Sequence, residues 1–406
     1  MRRRLLAEGS HQVWACASPL TVHSRHGILA GGGQSALRAK NPGGLEEIGL
    51  FRGPPFAGPA LTASTKKGNP VRRSEQTCII VGGGLAGLVA ATVLQGVGLR
   101  VTVLDKGWGI GGRLATRRIR DDALGQGIFD YGAPYFTVRD PRFRTWVDGW
   151  LEAGVAARWS TGFATDEGVL RGRGEPRYRG LVSNRGIAKY LAKDLEVRTG
   201  TRVVAVSWDR GGWSACTEAG SLFRGDLLLL TPPIPQSLAL IDHAGIALPR
   251  AVEGQLRAVS YESCLAVLAL LRGPSQIPEP GGMWGSGEPV AWIADNQQKG
   301  ISPEVAAVTI HAGPEFSRAH WEDDDHSLAG VLFDTAARWL GSEVAQYQVH
   351  RWRYSKPSTF YGQPFLALDE PGPWVLAGDG LLAPRLEGAF LSGLSAGEAI
   401  LARLSV

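Results

Sequence analysis

The sequence Cys78-Ile-Ile-Val-Gly-Gly-Gly-Leu-Ala-Gly-Leu-Val-Ala-Ala-Thr92 constrains the fold more than any other part of the chain. An apolar run typical of a buried strand leads into the spacing Gly82-x-Gly84-x-x-Gly87, and an Ala/Leu/Val-rich helix pattern follows over 85–97. Glycines here allow a tight turn and a close approach of the backbone to a ligand, and the N–H groups at a helix N-terminus favour a pyrophosphate. The stretch therefore predicts a strand, turn and helix that bind a dinucleotide.

A second strand pattern follows the helix and ends in an acid. The run Leu99-Arg-Val-Thr-Val-Leu-Asp105 alternates apolar positions, and Asp105 lies 21 residues after Gly84. At this spacing a carboxylate accepts hydrogen bonds from the adenosine ribose. A lone glycine motif is weak evidence, but strand, glycines, helix, strand and acid in this order predict a Rossmann-type site.

Two further segments favour a flavin over a nicotinamide as the bound cofactor. Lys106-Gly-Trp-Gly-Ile-Gly-Gly-Arg113 adds a second glycine-rich turn, at which Arg113 can contact the pyrophosphate or ribityl part of a long cofactor. Trp374-Val-Leu-Ala-Gly-Asp379 predicts a short strand whose terminal acid can bind a ribityl hydroxyl, and a small-residue helix at 387–397 follows. Because these motifs lie at opposite ends of the chain, the nucleotide-binding domain is predicted to be interrupted by another domain.

The part of the chain between these motifs contains a predicted β-meander. Three alternating runs at 201–208, 213–217 and 223–231 read as antiparallel strands that return to a parallel sheet. We expect Val203 and Val204 to flank the adenine.

Residues 1–76 carry the excess of positive charge and have no sustained helix or strand period. They hold eleven Lys or Arg against four Asp or Glu, so the net charge of +5 arises here, and the nearly neutral remainder gives no reason to expect nucleic acid binding. Gly- and Pro-rich stretches such as Asn41-Pro-Gly-Gly44 predict a disordered extension. Its Arg-rich, acid-poor composition also resembles an organelle-targeting peptide, and the scarcity of methionine makes a mis-assigned start near Val71 a third explanation.

Composition argues against several other classes of protein. The four cysteines lie far apart without a C-x-x-C pair, which favours a cytoplasmic setting and predicts no metal site. Cys78 and Cys264 fall in apolar runs and are expected to pack rather than react. The run Glu322-Asp-Asp-Asp325 lacks metal-ligand spacing and reads as an exposed acidic surface. No apolar stretch approaches the roughly 20 residues of a membrane span.

Seven segments together carry a family resemblance: Val81-Gly-Gly-Gly-Leu-Ala-Gly87, Leu104-Asp-Lys-Gly-Trp-Gly-Ile-Gly-Gly-Arg-Leu-Ala-Thr-Arg117, Phe129-Asp-Tyr-Gly-Ala-Pro-Tyr-Phe-Thr137, Ala291-Trp-Ile-Ala-Asp-Asn296, Ile310-His-Ala-Gly-Pro-Glu-Phe-Ser317, His350-Arg-Trp-Arg-Tyr354 and Leu376-Ala-Gly-Asp-Gly380. From about residue 77 to the C-terminus, the chain resembles the renalase-like group of the flavin amine oxidase superfamily. The resemblance implies an α/β fold like that of p-hydroxybenzoate hydroxylase. A Rossmann-type FAD-binding domain at 77–135, 190–235 and 345–406 would be interrupted by an α+β substrate domain at 136–189 and 236–344.

The resemblance also implies a set of FAD contacts: Gly82, Gly84, Gly87, Asp105, Arg113, Ala133, Pro134, Val204 and Asp379. The family commonly has Gln where Pro134 stands, so a side-chain contact to the flavin is lost there and a contact through the backbone carbonyl is left. Nothing resembles the Ser-Gly-Gly-Cys-Tyr attachment sequence of monoamine oxidases, so we expect FAD to be bound non-covalently.

The sequence does not determine the catalytic residues, because the flavin carries the hydride chemistry and requires positioning more than a protein acid or base. Candidates in the matching segments, each of which also fits a structural role, are Tyr135, Trp292, His311, His350 and Tyr354. The basic loop Arg171-Gly-Arg-Gly-Glu-Pro-Arg-Tyr-Arg179 fits either a phosphate contact or a solvated loop, and we favour the solvated loop.

Three functions are compatible with these patterns. The resemblance favours an FAD oxidase that takes hydride from 2- or 6-dihydro isomers of NAD(P) and passes the electrons to oxygen. The wider superfamily suggests an oxidase or dehydrogenase of an amine or another small reduced compound, although no paired aromatics near the terminal motif indicate an amine-binding cage. A flavoprotein that binds FAD without turnover is the third.

Overall fold

The computed structural model describes residues 75–172 and 174–404, so residues 1–74 of the predicted disordered extension lie outside the described part. The strands are β1 (Thr77–Val81), β2 (Arg100–Leu104), β3 (Thr116–Asp121), β4 (Gly125–Asp130), β5 (Ala156–Ser160), β6 (Phe163–Thr165), β7 (Leu170–Arg171), β8 (Arg177–Gly180), β9 (Glu196–Arg198), β10 (Val203–Asp209), β11 (Gly212–Thr217), β12 (Leu222–Gly225), β13 (Leu227–Leu230), β14 (Tyr261–Leu271), β15 (Gly282–Trp284), β16 (Val290–Asp295), β17 (Ala307–Ala312), β18 (Val344–Pro357), β19 (Phe365–Leu368) and β20 (Trp374–Ala377). The helices are α1 (Leu85–Gly96), α2 (Pro141–Glu152), α3 (Asn184–Leu191), α4 (Ile234–His243), α5 (Arg250–Arg257), α6 (Pro314–Ala319), α7 (Asp325–Leu340), α8 (Asp379–Leu382) and α9 (Leu386–Leu404).

The first sheet has six strands in the order β19-β20-β13-β1-β2-β9. All neighbours pair in parallel except β19, which runs antiparallel to β20 at the edge. The predicted strand, helix and second strand are confirmed as β1, α1 and β2, and the predicted terminal strand and helix as β20 and α9. Parallel strands of this kind are buried on both faces, which explains their nearly continuous apolar sequences.

Alternate residues of the first sheet supply two cores. Cys78 and Ile80 of β1 face a core formed with α1 and α9. Ile79 and Val81 face the other side, where α4, α5 and the sheet β10-β11-β12 complete a second core. The period-2 alternation of a strand therefore produces a three-layer arrangement from a uniformly apolar run.

The second sheet has seven strands in the order β18-β14-β17-β16-β15-β6-β7. One face packs against α7 through residues such as Val267, Ile310 and Leu332. The opposite face packs against the hairpin β3-β4 through Leu268 and Phe129. The second face lies toward the segment that follows β4, which the resemblance assigns to flavin binding.

The strand pairing modifies the sequence-based division of the chain. The predicted meander is confirmed as β10, β11 and β12, which lead into β13. β18 was assigned to the FAD-binding domain, but it pairs along its length with β14 of the second sheet. Likewise α4 and α5 were assigned to the substrate domain, but they pack on the first sheet. The two-domain division itself stays a prediction.

Among the described residues, no helix is both long and apolar enough to cross a bilayer.

Candidate FAD and substrate site

The glycine turn after β1 lies at the carboxyl ends of the parallel strands. Gly82 adopts a φ of 106°, and a Cβ at Gly87 would collide with the carbonyl oxygen of Gly82. These two glycines are therefore required by the protein itself. A Cβ built on Gly84 meets nothing within 4 Å, and no side chain caps the N-terminus of α1 there. Open space before an uncapped helix N-terminus fits the pyrophosphate of a dinucleotide.

Asp105 follows β2 and holds two neighbouring turns. Its Oδ2 accepts a hydrogen bond from the Gly83 N–H at 2.6 Å, and its Oδ1 accepts one from the Gly107 N–H at 2.7 Å. A carboxylate has about four lone-pair positions, so each oxygen can still accept a ribose hydroxyl. The predicted ribose ligand thus also organises the turn.

Arg113 and Asp379 join the two cofactor motifs from opposite ends of the chain. The guanidinium donates to both carboxylate oxygens, with N–O distances of 2.5 and 2.7 Å, and to the Ser355 carbonyl at 3.2 Å. Burial alone would lower the pKa of Arg113, but the Asp379 carboxylate more than compensates and the pKa lies above its ordinary value. With the open Gly84, this pair fits the phosphate and ribityl parts of FAD.

Val204 occupies an irregular position in β10. Its neighbours Val203 and Ala205 pair with Thr217 and Cys216, so Val204 is bulged out of the ladder. The residue is 40% exposed. A bulge leaves backbone groups unpaired, which suits the predicted adenine contact.

The segment after β4 is fixed by a buried network around Asp130. The carboxylate accepts hydrogen bonds from the Thr116 hydroxyl at 2.6 Å, the Asn184 N–H at 3.1 Å and the Lys299 ammonium at 2.7 Å. Lys299 also donates to the Pro134 carbonyl at 2.7 Å. The Asn184 amide donates to the Ala133 carbonyl at 2.7 Å. The two predicted flavin-contacting residues of this segment are therefore held through their carbonyls.

Three of the five candidate catalytic residues lie in one row across the second sheet. Paired positions on antiparallel strands share a face, and the pairing gives the ring row, defined as Trp284, Trp292, His311, Ala266 and His350. Tyr135 joins it, because its ring centroid lies 5.6 Å from that of Trp292. Tyr354 does not, since it packs edge-on against Tyr261 at 5.4 Å.

Both histidines of the ring row are held neutral. Burial lowers the pKa of His311 to about 4, and the Lys299 charge acts in the same direction. Burial also lowers the pKa of His350 to about 4, with a contribution from Arg117. The His311 Nε2 lies 3.0 Å from the Tyr131 carbonyl oxygen, which can only accept, so Nε2 carries the proton.

Sequence reasoning missed several residues that line this region. Tyr131 stacks on Trp352 at 5.3 Å, meets His350 edge-on at 4.8 Å and lies beneath the Arg117 guanidinium at 4.9 Å. His350, Trp352 and Tyr354 alternate along β18, so the sequence could have predicted that Trp352 shares a face with His350. Asp130 and Lys299 gave no such signal, because they are 169 residues apart and meet only in the folded chain.

The basic loop corrects one expectation. Arg171 is exposed, but Arg177 is only 6% exposed and donates to the Gly172 and Glu175 carbonyls at 2.9 Å each. Its guanidinium lies 5.6 Å from the Tyr135 ring centroid. The solvated-loop interpretation was therefore wrong for Arg177, whose position next to a candidate residue depends on tertiary contacts.

The two cysteines in apolar runs and the acidic run behave as expected within the described residues. Burial raises the pKa of Cys78 and of Cys264 to about 12, so neither is a thiolate nucleophile. Asp324 of the acidic run caps α7 by accepting from the His326 and Ser327 N–H groups. In the ranges 75–172 and 174–404, no group of three or more acidic, His or Cys residues could hold a metal ion.

A dinucleotide turn on a parallel sheet, an Arg–Asp pair and a second sheet facing them define the class of FAD-dependent oxidoreductases. The chain belongs to the family described as flavin containing amine oxidoreductase, whose model matches residues 150–401. A model described as NAD(P)-binding Rossmann-like domain matches residues 80–150. Mouse renalase is 25% identical over 347 residues, which cover 78% of this chain and 96% of renalase. The protein is thus a renalase-like member of its family, and its cofactor is FAD.

Solved structures show the same fold. A protein from Exiguobacterium provisionally named a protoporphyrinogen oxidase has a TM-score of 0.61 at 16% identity, covering 81% of this chain and 99% of its own. A putrescine oxidase bound to putrescine has a TM-score of 0.61 at 14% identity with the same coverages. At these identities the likeness concerns the fold alone.

Proposed function

We propose that the protein oxidises 2- or 6-dihydro isomers of NAD(P) and passes the electrons to oxygen. The observation that carries the proposal is the ring row, in which the side chains are flat or small and no carboxylate is present. Such a surface suits an uncharged, planar dihydronicotinamide ring. The relationship to mouse renalase over 78% of the chain supports the proposal.

The protein's own residues would bind and orient the substrate ring. Bound FAD supplies the hydride acceptor. His311 and His350 stay neutral at physiological pH and add no positive charge beside a ring that becomes cationic on oxidation. Tyr131 and Trp352 fix one end of the row through stacking, and the Trp352 N–H donates to the Tyr131 carbonyl at 2.8 Å. Positioning to within about 1 Å is worth ~10²-fold in rate.

Oxidation of an amine is the second candidate, supported by the structural likeness to a putrescine oxidase bound to putrescine. An ammonium group is held by carboxylates or by the faces of aromatic rings. The ring row contains no carboxylate, and Tyr261 and Tyr354 meet at an interplanar angle of 79°, so that one ring turns its edge to the other. These features disfavour the amine.

Anaerobic stopped-flow reduction separates the candidates. We expect the 2- or 6-dihydro isomer of NAD to bleach the flavin far faster than ordinary 4-dihydro-NADH, with hydrogen peroxide appearing once air is admitted. Faster reduction by putrescine or another amine would transfer the protein to the second candidate. No reduction by any of these compounds would indicate a non-catalytic FAD-binding protein.

Release of intact FAD by acid or heat, leaving a colourless chain, tests the predicted non-covalent binding in the same preparation.

A further inference from the structure

A groove of about 380 Å³ lies between the glycine-rich turn that follows β2 and helix α3. We call it the indole groove and define it by its lining residues, which are residues 108–110, Arg185, Lys189, Ala192, Leu195, Val197 and Thr199. None of the predicted FAD contacts is among them, so the groove is a separate site. Ordinary ligand sites have volumes of roughly 300–1,000 Å³, so the groove suits a ligand no larger than a mononucleotide.

Trp108 presents an aromatic surface to solvent in this groove. The residue is 92% exposed. A Cβ on Gly200 would lie 3.1 Å from Trp108 Cζ3, so one edge of the indole rests against this glycine while most of the ring stays open. Ile110, Leu195 and Val197 supply an apolar wall that packs on the protein core. The groove can therefore hold a flat ring between a stacking surface and a wall.

Arg185 reaches the groove across Gly109. A Cβ on Gly109 would collide with Arg185 Nη2, so the close passage of the guanidinium depends on this glycine. The guanidinium carries five donors, and none of them is bonded to a described residue. Of its three nitrogens only Nε is shielded from solvent, so the two terminal nitrogens are open to a ligand. The groove thus contains a positioned cation that lacks an acceptor.

Lys189 adds a second uncompensated charge. It lies one turn after Arg185 on α3, is exposed, and has no ion-pair partner among the described residues. Like charges at this spacing on a helix repel each other. No acidic residue lines the groove, and Glu196, next to the wall in sequence, pairs with Arg198. An anion in the groove would therefore relieve the repulsion and satisfy both cations.

We propose that the indole groove binds an aromatic anion, with its ring against Trp108 and its phosphate or carboxylate group on Arg185 and Lys189. The planar guanidinium can donate to two oxygens of either group at once, and the ammonium adds a point charge. A ligand cation is opposed by both side chains, and a neutral ring leaves both unpaired. This site is additional to the proposed function and does not depend on it.

Isothermal titration calorimetry of the FAD-loaded full chain tests the inference with small probes. Phenyl phosphate carries a ring and a charge, inorganic phosphate only the charge, and benzyl alcohol only the ring. We expect phenyl phosphate to bind at least about 10-fold more tightly than either of the others. The FAD-free protein should give the same dissociation constant, because the groove shares no predicted FAD contact. Titration with AMP and with benzoate then distinguishes a nucleotide from an aryl carboxylate as the preferred ligand.

Variants assign the binding to the groove. Arg185→Met should weaken phenyl phosphate about 10- to 100-fold, Trp108→Ala about 3- to 10-fold and Lys189→Met about 2- to 5-fold. Lys193→Met, an exposed lysine just beyond α3 that does not line the groove, is the matched control and should change nothing. If Arg185→Met does not fold, the two variants of exposed residues still test the site.

Several outcomes would overturn the inference. Equal affinity for inorganic phosphate and phenyl phosphate would show that the ring is not recognised. Loss of phenyl phosphate binding when FAD is loaded would place the anion in the pyrophosphate site instead. No detectable binding, or equal effects of Lys189→Met and Lys193→Met, would remove the groove as a site. Flavin reduction by dihydro-NAD isomers is measured separately, so its failure would leave the groove standing.

Discussion

Asp105 is expected to have two roles, and two measurements on one substitution can distinguish them. The sequence alone suggests that removing the carboxylate weakens FAD binding with little loss of fold, but the Gly83 and Gly107 N–H groups both depend on it. We therefore expect Asp105→Ala to weaken FAD binding by roughly 1.5–3 kcal/mol and to lower the unfolding free energy of the FAD-free protein by about 1–3 kcal/mol. FAD titration and denaturation measure the two effects. Glu196→Gln, an exposed neighbouring carboxylate, is the control, and unchanged FAD affinity in Asp105→Ala would refute the ribose assignment.

His311 should make stability depend on pH on the acidic side. In the unfolded chain its pKa is near 6.5, whereas in the folded protein burial lowers it to about 4. The unfolded state therefore binds more protons between these values, so stability falls as pH decreases from about 6.5 to about 4. We expect His311 to account for about 1–3 kcal/mol of this loss.

His311→Gln tests this dependence, because the amide can still donate to the Tyr131 carbonyl but does not titrate. The variant should show a shallower decline of unfolding free energy between pH 6.5 and 4 than the unaltered protein. His243→Gln, on the surface end of α4, should retain the full decline. Identical pH profiles for His311→Gln and the unaltered protein would contradict the burial of a neutral ring.

At the scale of elements, α1 and α9 pack closely through small residues. A Cβ on Gly393 of α9 would lie 2.7 Å from the Cα of Ala86, whereas a Cβ on Gly330 of α7 meets nothing within 4 Å. Gly393→Ala should therefore lower the unfolding free energy by about 1–3 kcal/mol. Gly330→Ala, the matched helical control, should raise it by about 0.5–1 kcal/mol. Equal stabilisation by both substitutions in urea denaturation would show that the two helices do not approach this closely.

At the scale of the whole molecule, Lys299 joins the second sheet to the segment that is predicted to contact the flavin. The Lys299–Asp130 pair is 1% and 0% exposed. Breaking such a pair leaves a buried charge, so Lys299→Met should cost about 3–5 kcal/mol of stability. Asp130→Asn combined with Lys299→Met should recover part of this loss.

The exposed pair of Lys356 and Glu262 provides the control for Lys299. Its side chains are 54% and 32% exposed, and pairs of this kind contribute about 0–1 kcal/mol. Thermal and urea denaturation of Lys356→Met should therefore show a small change. If Lys299→Met lowers stability as little as Lys356→Met does, the buried pair does not hold the second sheet to the segment that is predicted to contact the flavin.

Much of the fold follows from local patterns in the sequence. The glycine turn, the acid at the end of β2, the meander and the terminal strand and helix each depend on residues close together in the chain, where turn geometry and side-chain periodicity act directly. The predicted division, with residues 345–406 in the FAD-binding domain, did not anticipate that β18 pairs with β14 of the second sheet, because strand partners are chosen by long-range packing.

The candidate site was predictable only in part. The spacing of Gly82, Gly84, Gly87 and Asp105 indicates a dinucleotide, because the local backbone itself forms that site. Arg113 and Asp379 were separate predictions, and their pairing required the folded chain. The buried position of Arg177 beside Tyr135 was missed because a basic loop is usually solvated.

The sequence by itself determined that this chain binds a dinucleotide at a strand-turn-helix unit and belongs with flavin oxidoreductases, since both depend on short motifs with local geometry. Only the tertiary structure decided which side chains face one another across the second sheet. The ring row arises from the register of four strand pairings, two of which join strands that are not consecutive in the chain, and the Asp130–Lys299 network joins residues 169 positions apart. Burial then sets their charge states, because desolvation and neighbouring charges exist only once the strands are packed.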